Sequence, residues 1–289
     1  MSRFRFVSDH RDTYEVKRLC RLAGVSRSGF YAWAGRPPSP RAMSDAELMV
    51  TIREIHQNSR RTYGAPRVHG QLARRGICVG RKRVARLMRT HGLVGAHSKK
   101  KWRRHRPDVA SAPDRLNRDF TARRPNQKWV ADISRFPTAE GPLHVAGIRD
   151  LCHRGLVGWA MGASENADLV VDALLMALNR ATPHPDGLTH HSDKGSQYTS
   201  LEFCATADLA GLTVSFGSTG DCFDNAAMET FWSVIKREIA WIRGSIYFPT
   251  RDEARLYLFE YIEVFYNRGR HQAGLGHLTP AEYAAGFIT

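Results

Sequence analysis

Apolar positions along this chain keep two different periods. Over residues 12 to 33, DTYEVKRLCRLAGVSRSGFYAW, they recur at helical spacing on either side of a glycine. That predicts a helix, a turn and a second short helix, a helix-turn-helix fragment with Val16, Leu19, Cys20 and Val25 facing inward. Three prolines in GRPPSPRAMS, Gly35 to Ser44, interrupt the pattern and predict a linker. From Asp45 the helical period returns. LMVTIREIH places Leu48, Ile52 and Ile55 on one face, and APRVHGQLARRG and RKRVARLMRTHG give two shorter helices ended by Gly76 and Gly92. In the last of these Val84, Leu87 and Met88 share the packing face, which leaves Arg81, Lys82, Arg83, Arg86 and Arg89 on or beside the opposite surface. Residues 98 to 128 show no sustained period, hold three prolines and many cations, and read as an extended basic linker. Trp102 within it either stacks on a base or pins the linker to the core.

At Trp129 the pattern changes to strand-like apolar runs: WVADISRF, LHVAGIRD and GLVGWAMG, then the amphipathic helix ADLVVDALLMALNRA. A short strand near GLTHH, a helix through SLEFCATADLAG, a strand LTVSF and a further helix follow. The first two connections are short enough for antiparallel hairpins. Three strands, helix, strand, helix, strand, helix is the order of an RNase H-like sheet. The predicted class is therefore α/β: an RNase H-like mixed-sheet core with N-terminal all-α helix-turn-helix modules and a helical C-terminal segment. The expected division is 1–44 as helix-turn-helix-like arm and linker, 45–97 as basic three-helix module, 98–122 as basic linker, 123–245 as core and 246–289 as C-terminal segment. The chain has no internal repeat, low-complexity block or sustained heptad.

Charge sharpens this division. Net charge is +15, but residues 1–128 hold 31 Lys and Arg against 9 Asp and Glu, so the first part is +22 and the remainder −7. A basic arm on an acidic body suits a protein that neutralises phosphates with one part and carries carboxylates for metal in another. No run of 18 apolar residues occurs and the opening lacks the apolar middle of a secretory signal, so a soluble, cytoplasmic protein without a membrane partner is expected. The five cysteines are scattered, with no C-x-x-C pair and no zinc-finger grouping, and read as reduced thiols.

Three acids stand out by position. Asp132 lies inside the first strand, where a lone carboxylate among core residues is costly unless neutralised. Asp193 follows the short strand in HHSDKGSQY, and Glu229 is on the helix that begins near DNAAMET. An RNase H-like topology brings these three positions to one end of the sheet. Carboxylates gathered there repel, and two divalent cations resolve the repulsion while serving phosphoryl transfer. Mg²⁺ suits the oxygen donors, and Mn²⁺ can substitute. Any three of 28 acids can be chosen by eye, so position alone does not single these out.

Longer strings do. WVADIS around Asp132, HSDKGSQYTS around Asp193 and DNAAMETFWSVIKRE around Glu229, with 35 residues between the last two acids, resemble the OrfB-type transposases of bacterial insertion sequences, whose catalytic domain is similar to retroviral integrases. YNRGRHQAGLGHLTPAEY resembles that family's C-terminal signature; RTYGAPRVHGQL and GRKRVARLMRTHGL resemble its N-terminal domain. The resemblance implies metal binding and catalysis by Asp132, Asp193 and Glu229, and DNA contact by Lys236, two helical turns beyond Glu229. Asn225 shares that face and either touches DNA or caps the helix. Gly195, Ser196, Gln197 and Tyr198 shape the turn beside Asp193, or Gln197 and Tyr198 contact DNA. Major-groove reading falls to the Arg81–Arg89 helix. The implied partners are double-stranded DNA, both element ends and target, further copies of the chain on that DNA, and an upstream-frame (OrfA-type) partner or frameshift fusion. Three other readings stay open: a DNA-binding regulator without catalysis, an RNase H-like nuclease, and a tyrosine recombinase using Arg268, Arg270, His271 and Tyr266.

Overall fold

The computed structural model describes residues 2–97, 121–181, 187–217 and 225–287. Nearly all of the expected linker, Trp102 included, and Cys222 lie outside the described residues. The chain packs as two compact units, Met1–Thr51 and Ile52–Thr289.

The first unit holds α1 (Arg3–His10), α2 (Val16–Ala23), α3 (Arg27–Ala34) and the start of α4 (Pro40–Asn58). Val7, Leu19, Cys20 and Phe30 form its core, with Phe4, Phe6, Val16 and Val25 packed against them. The sequence pattern does not show α1, because its apolar residues alternate with cations in RFRFV. Ser2 nevertheless caps it by accepting from the Arg5 amide at 3.2 Å. Gly24 ends α2 in the left-handed conformation, φ 64°. The linker expected over 35–44 is shorter than predicted, since α4 begins at Pro40. Ser39 accepts from the Ala42 amide, and a proline in the first turn gives up an N–H that the helix does not use.

The second unit opens with the end of α4, α5 (Ala65–Arg74) and α6 (Arg81–Thr90), terminated by Gly76 and Gly92 at positive φ. It continues with β1 (Lys128–Phe136), β2 (Leu143–Asp150), β3 (Leu156–Gly162), α7 (Ala167–Arg180), β4 (Leu188–Ser192), α8 (Leu201–Leu209), β5 (Leu212–Phe216) and α9 (Ala226–Arg243). After these come α10 (Arg251–Glu260), a π-helix (Tyr261–Tyr266), a 3₁₀ turn (Ala273–Leu275) and α11 (Pro280–Ala285). The sheet order is β3-β2-β1-β4-β5. β1, β2 and β3 pair antiparallel, while β1–β4 and β4–β5 pair parallel, the mixed sheet of the RNase H-like fold.

β1 is central and covered on both faces, which explains its near-continuous apolar run. Successive side chains point to opposite sides. Trp129 and Ala131 face the layer built by Leu169, Val170 and Leu174 of α7 and Phe203 of α8. Val130 and Phe136 face Met228, Phe231, Trp232 and Ile235 of α9. Gly158 lets α7 lie close on β3, since a Cβ there would overlap the Ala173 carbonyl oxygen.

Polar side chains tie the C-terminal segment to the rest of this unit. Asn267 exchanges two 3.0 Å bonds with the Leu156 backbone, extending β3 as a neighbouring strand would. Glu238 of α9 accepts from Arg270 at 2.7 to 3.1 Å, from the Tyr261 hydroxyl at 2.8 Å and from Arg67 of α5 at 3.2 Å. The Tyr63 hydroxyl accepts from the His271 amide at 2.6 Å, and Gln71 and Arg74 donate to the His277 carbonyl. Among the described residues no helix is long and apolar enough to cross a membrane.

Candidate active site

Strand register brings the two aspartates together. β1 and β4 run parallel with Lys128, Trp129 and Val130 level with Thr189, His190 and His191. Carrying the same offset two residues further sets Asp193 level with Asp132, just where β4 ends. Asp193 is exposed, and its Oδ1 accepts from the Gly195 amide at 3.0 Å, closing the turn. Tyr198 completes that turn from beneath: its amide donates to the Gly195 carbonyl, and its ring packs on Phe203 in the core. Ser196 is exposed, and Gln197 Nε2 donates to the Glu165 carbonyl at 3.2 Å. The turn residues therefore have visible structural work.

The helix carrying Glu229 is fastened to β1 at the same level. Asn225 stands at the N-cap position of α9, but its side chain makes no capping bond. Instead its Nδ2 donates to the carbonyl of Ala131, the residue before Asp132, at 2.9 Å. From there α9 and β1 run side by side. Eleven helical residues from Asn225 to Lys236 rise about 16 Å, and five strand residues from Ala131 to Phe136 rise about the same. Lys236 duly meets Phe136, its Nζ lying 5.5 Å from the ring centre. Glu229, one turn after Asn225, is exposed on the first turn of α9.

Electrostatics register this gathering. Burial, followed by the charge of Asp193 and then that of Glu229, pushes the Asp132 carboxyl up to about 7; the Ile133 amide and Lys236 pull the other way. Burial, with Arg135 nearby, lowers the Lys236 ammonium, and Asp132 opposes that shift. The three carboxylates share one region without forming a finished cage: among the described residues no three His, Cys, Asp or Glu side chains stand close enough to hold a metal ion. The donors are nevertheless all carboxylate oxygens. A carboxyl driven towards neutrality by burial and like charge is the environment that a divalent cation would reverse.

Comparison with known proteins shows the family. An HTH-like domain family matches residues 44–101, and an Integrase core domain family matches 122–222, with a second Integrase core domain family over 229–285. The transposase InsF for insertion sequence IS3A of Escherichia coli K12 is 35% identical over 96% of this chain and 96% of its own length. The chain belongs to the OrfB-type insertion-sequence transposases. An insertion element IS600 protein of Shigella sonnei is 41% identical over 92% of this transposase and 97% of its own length. The HTLV-2 integrase catalytic core domain superposes at TM-score 0.42 with 14% identity, covering 56% of the transposase and 97% of that chain. A chain of the simian T-cell lymphotropic virus intasome in complex with PP2A regulatory subunit B56 gamma gives 0.47 with 13% identity, over 74% of the transposase and 73% of that chain.

In this transposase the basic helix α6 is built as its pattern predicts. Val84, Leu87 and Met88 are buried, Arg81, Lys82 and Arg89 are exposed, and Arg83 and Arg86 are half-buried. Two roles escaped the sequence reading. Asn225 turns out to be the bracket between helix and strand, and Glu238, an ordinary helix glutamate by sequence, is the buried hub of the C-terminal signature. The i to i+9 spacing from Glu229 to Glu238 is two and a half helical turns, so the second acid lies on the opposite helix face from the first, which sets it to a separate job but names no partner.

Proposed function

We propose that this transposase cuts and joins the DNA strands of its insertion sequence at Asp132, Asp193 and Glu229, which hold two Mg²⁺ ions, with Mn²⁺ able to substitute. The observation that carries this reading is the convergence at one strand level: the β1–β4 register, continued two residues past its last pair Val130–His191, sets Asp193 level with Asp132, and the Asn225 bond to Ala131 starts the Glu229 helix there. Bound to these oxygens, the ions would activate a water or 3′-hydroxyl and neutralise the leaving oxygen of an in-line displacement. Exposed Glu229 is free to turn towards the aspartates when positive charge arrives. Lys236 neutralises a phosphate on the same helix face. Gly195 and Tyr198 hold Asp193 in place, so that this carboxylate meets DNA already oriented.

The exposed cations of α6 supply double-stranded element ends to this site, Arg81, Lys82 and Arg89 outermost, with Arg83 and Arg86 beside them. Copies of the chain assemble on the two ends and the target, with the upstream-frame protein or a frameshift fusion contributing further contacts. The decisive experiment incubates purified chain, with and without the upstream-frame protein, on labelled element ends in Mg²⁺. Strand-transfer products are expected. DNA binding with neither cleavage nor joining under any of these conditions would turn the reading to a non-catalytic regulator, and cleavage without joining to a nuclease.

A further inference from the structure

A second charged feature lies at the other end of the sheet. A cleft of about 1040 Å³ opens before the start of β1 and is lined by Arg123, Arg124, Arg180, Arg268, Asn126 and Glu263, among others. Asn126 lies two residues before β1, and the four strand steps from Lys128 to Asp132 alone span about 13 Å, so the cleft is separate from the carboxylates. Its cations come from three places: the segment entering β1, the end of α7 and the turn after the π-helix.

Several arginines elsewhere in this unit pair with acids. Arg67 and Arg270 bind Glu238, Arg74 binds Glu282, Arg75 binds Glu54, Arg243 binds Glu253 and Arg255 binds Asp252. In the cleft Arg180 is answered by Glu263, whose Oε1 also accepts from the Trp159 indole at 2.7 Å. Arg123, Arg124 and Arg268 are exposed, and no carboxylate among the described residues pairs with them. Three like charges converging on one concavity repel, and the cost is offset when a multivalent anion enters. The C-terminal signature thus divides its two arginines: Arg270 is consumed by a buried structural pair, while Arg268 is presented to the cleft.

We infer that the Arg123–Arg124–Arg268 cleft binds the phosphate backbone of double-stranded DNA, forming a contact surface on the integrase core apart from both the carboxylates and α6. The inference rests on the proposed DNA substrate, though not on the strand-transfer chemistry. Guanidinium forks suit bidentate phosphate recognition, and a core that is net acidic needs local cations wherever duplex lies against it.

The test uses the full chain in metal-free buffer, so that binding is read without catalysis. Affinity for a duplex of random sequence is measured by fluorescence anisotropy across a salt series, for the wild type and for a triple variant with Arg123→Gln, Arg124→Gln and Arg268→Gln. Loss of three phosphate contacts should make the slope of log K against log salt shallower by about 2.7. Thermal melting checks the fold, and if the triple variant unfolds, Arg268→Gln alone reads the same quantity at about 0.9. An unchanged slope in a folded variant overturns the proposal, even if strand transfer is normal. A shallower slope sustains it, even if strand transfer is never observed. Inorganic phosphate and a nucleoside triphosphate are titrated separately at constant ionic strength. If either binds the wild type and not the variant while the duplex slope stays the same, the cleft takes a small phosphate ligand and the DNA assignment is wrong.

Discussion

Arg270 and Glu238 form a buried ion pair in which the guanidinium donates from Nε at 2.8 Å and from Nη2 at 2.7 Å to opposite oxygens of one carboxylate. Arg67 of α5 and the Tyr261 hydroxyl complete that carboxylate's shell. One glutamate on the helix that carries Glu229 therefore joins the helical module, the core and the C-terminal signature.

Burial by itself would raise the Glu238 pKa, but Arg270, then Arg67 and Tyr261, outweigh it and hold the carboxyl below its ordinary value. A carboxylate depressed on folding stabilises the protein above its unfolded pKa of about 4.3, and that stability is lost as pH falls through the folded value. Glu238→Gln is expected to cost about 3–5 kcal/mol near neutrality by leaving Arg270 uncompensated. Between about pH 5 and pH 3 its urea midpoint should fall less than that of the wild type. Equal acid losses in the two proteins would show that Glu238 contributes nothing to the pH dependence.

Cutting the chain at Arg123 removes Tyr63 and Arg67 from the C-terminal segment and one cation from Glu238. A fragment beginning at Arg123 should therefore unfold at lower urea than one beginning at Ile52. The same midpoint in both would mean that the α5 contacts add no stability.

Asp132→Asn, Asp193→Asn and Glu229→Gln should each lower strand transfer at least about a hundredfold, because each removes an oxygen from the metal set. Duplex binding should be nearly unchanged, since the cations of α6 are untouched. A variant that transfers strands at close to the wild-type rate takes its residue out of the site.

Lys236→Ala removes a half-buried charge that faces the Phe136 ring rather than a carboxylate at bonding distance. Melting should shift little, while crosslinking of DNA at the active site and strand transfer both fall. If the variant crosslinks and transfers normally, Lys236 is a surface charge with no part in DNA engagement.

Gly158→Ala would drive a methyl group into the Ala173 carbonyl and the Ala177 side chain, backbone and core atoms with no room to yield. Overpacking of this kind costs about 1–3 kcal/mol, read as a lower thermal midpoint. An unshifted midpoint would imply that α7 can lift from β3 freely.

Much of this architecture is local and was legible in the sequence. The 3.6-residue period of α2, α5 and α6, the glycine stops at Gly76 and Gly92, and the strand runs of β1 to β3 are each written within a dozen residues, because backbone geometry alone sets those periods. Motif strings single out Asp132, Asp193 and Glu229 within the sequence itself. Local pattern misled where two signals competed: cations interleaved with phenylalanines hid α1, and three prolines masked the capped start of α4 at Pro40. What only the tertiary structure decided depends on register and on long-range partners. That Asp193 falls level with Asp132 follows from the β1–β4 pairing, that Asn225 serves the Ala131 carbonyl rather than its own helix end follows from how α9 lies along the strand, and that Arg270 is buried while Arg268 faces a cleft follows from the turn after the π-helix. A side chain's type and spacing limit what it can bond to; which partner it meets is settled by residues tens to hundreds of positions away, whose approach no local period encodes.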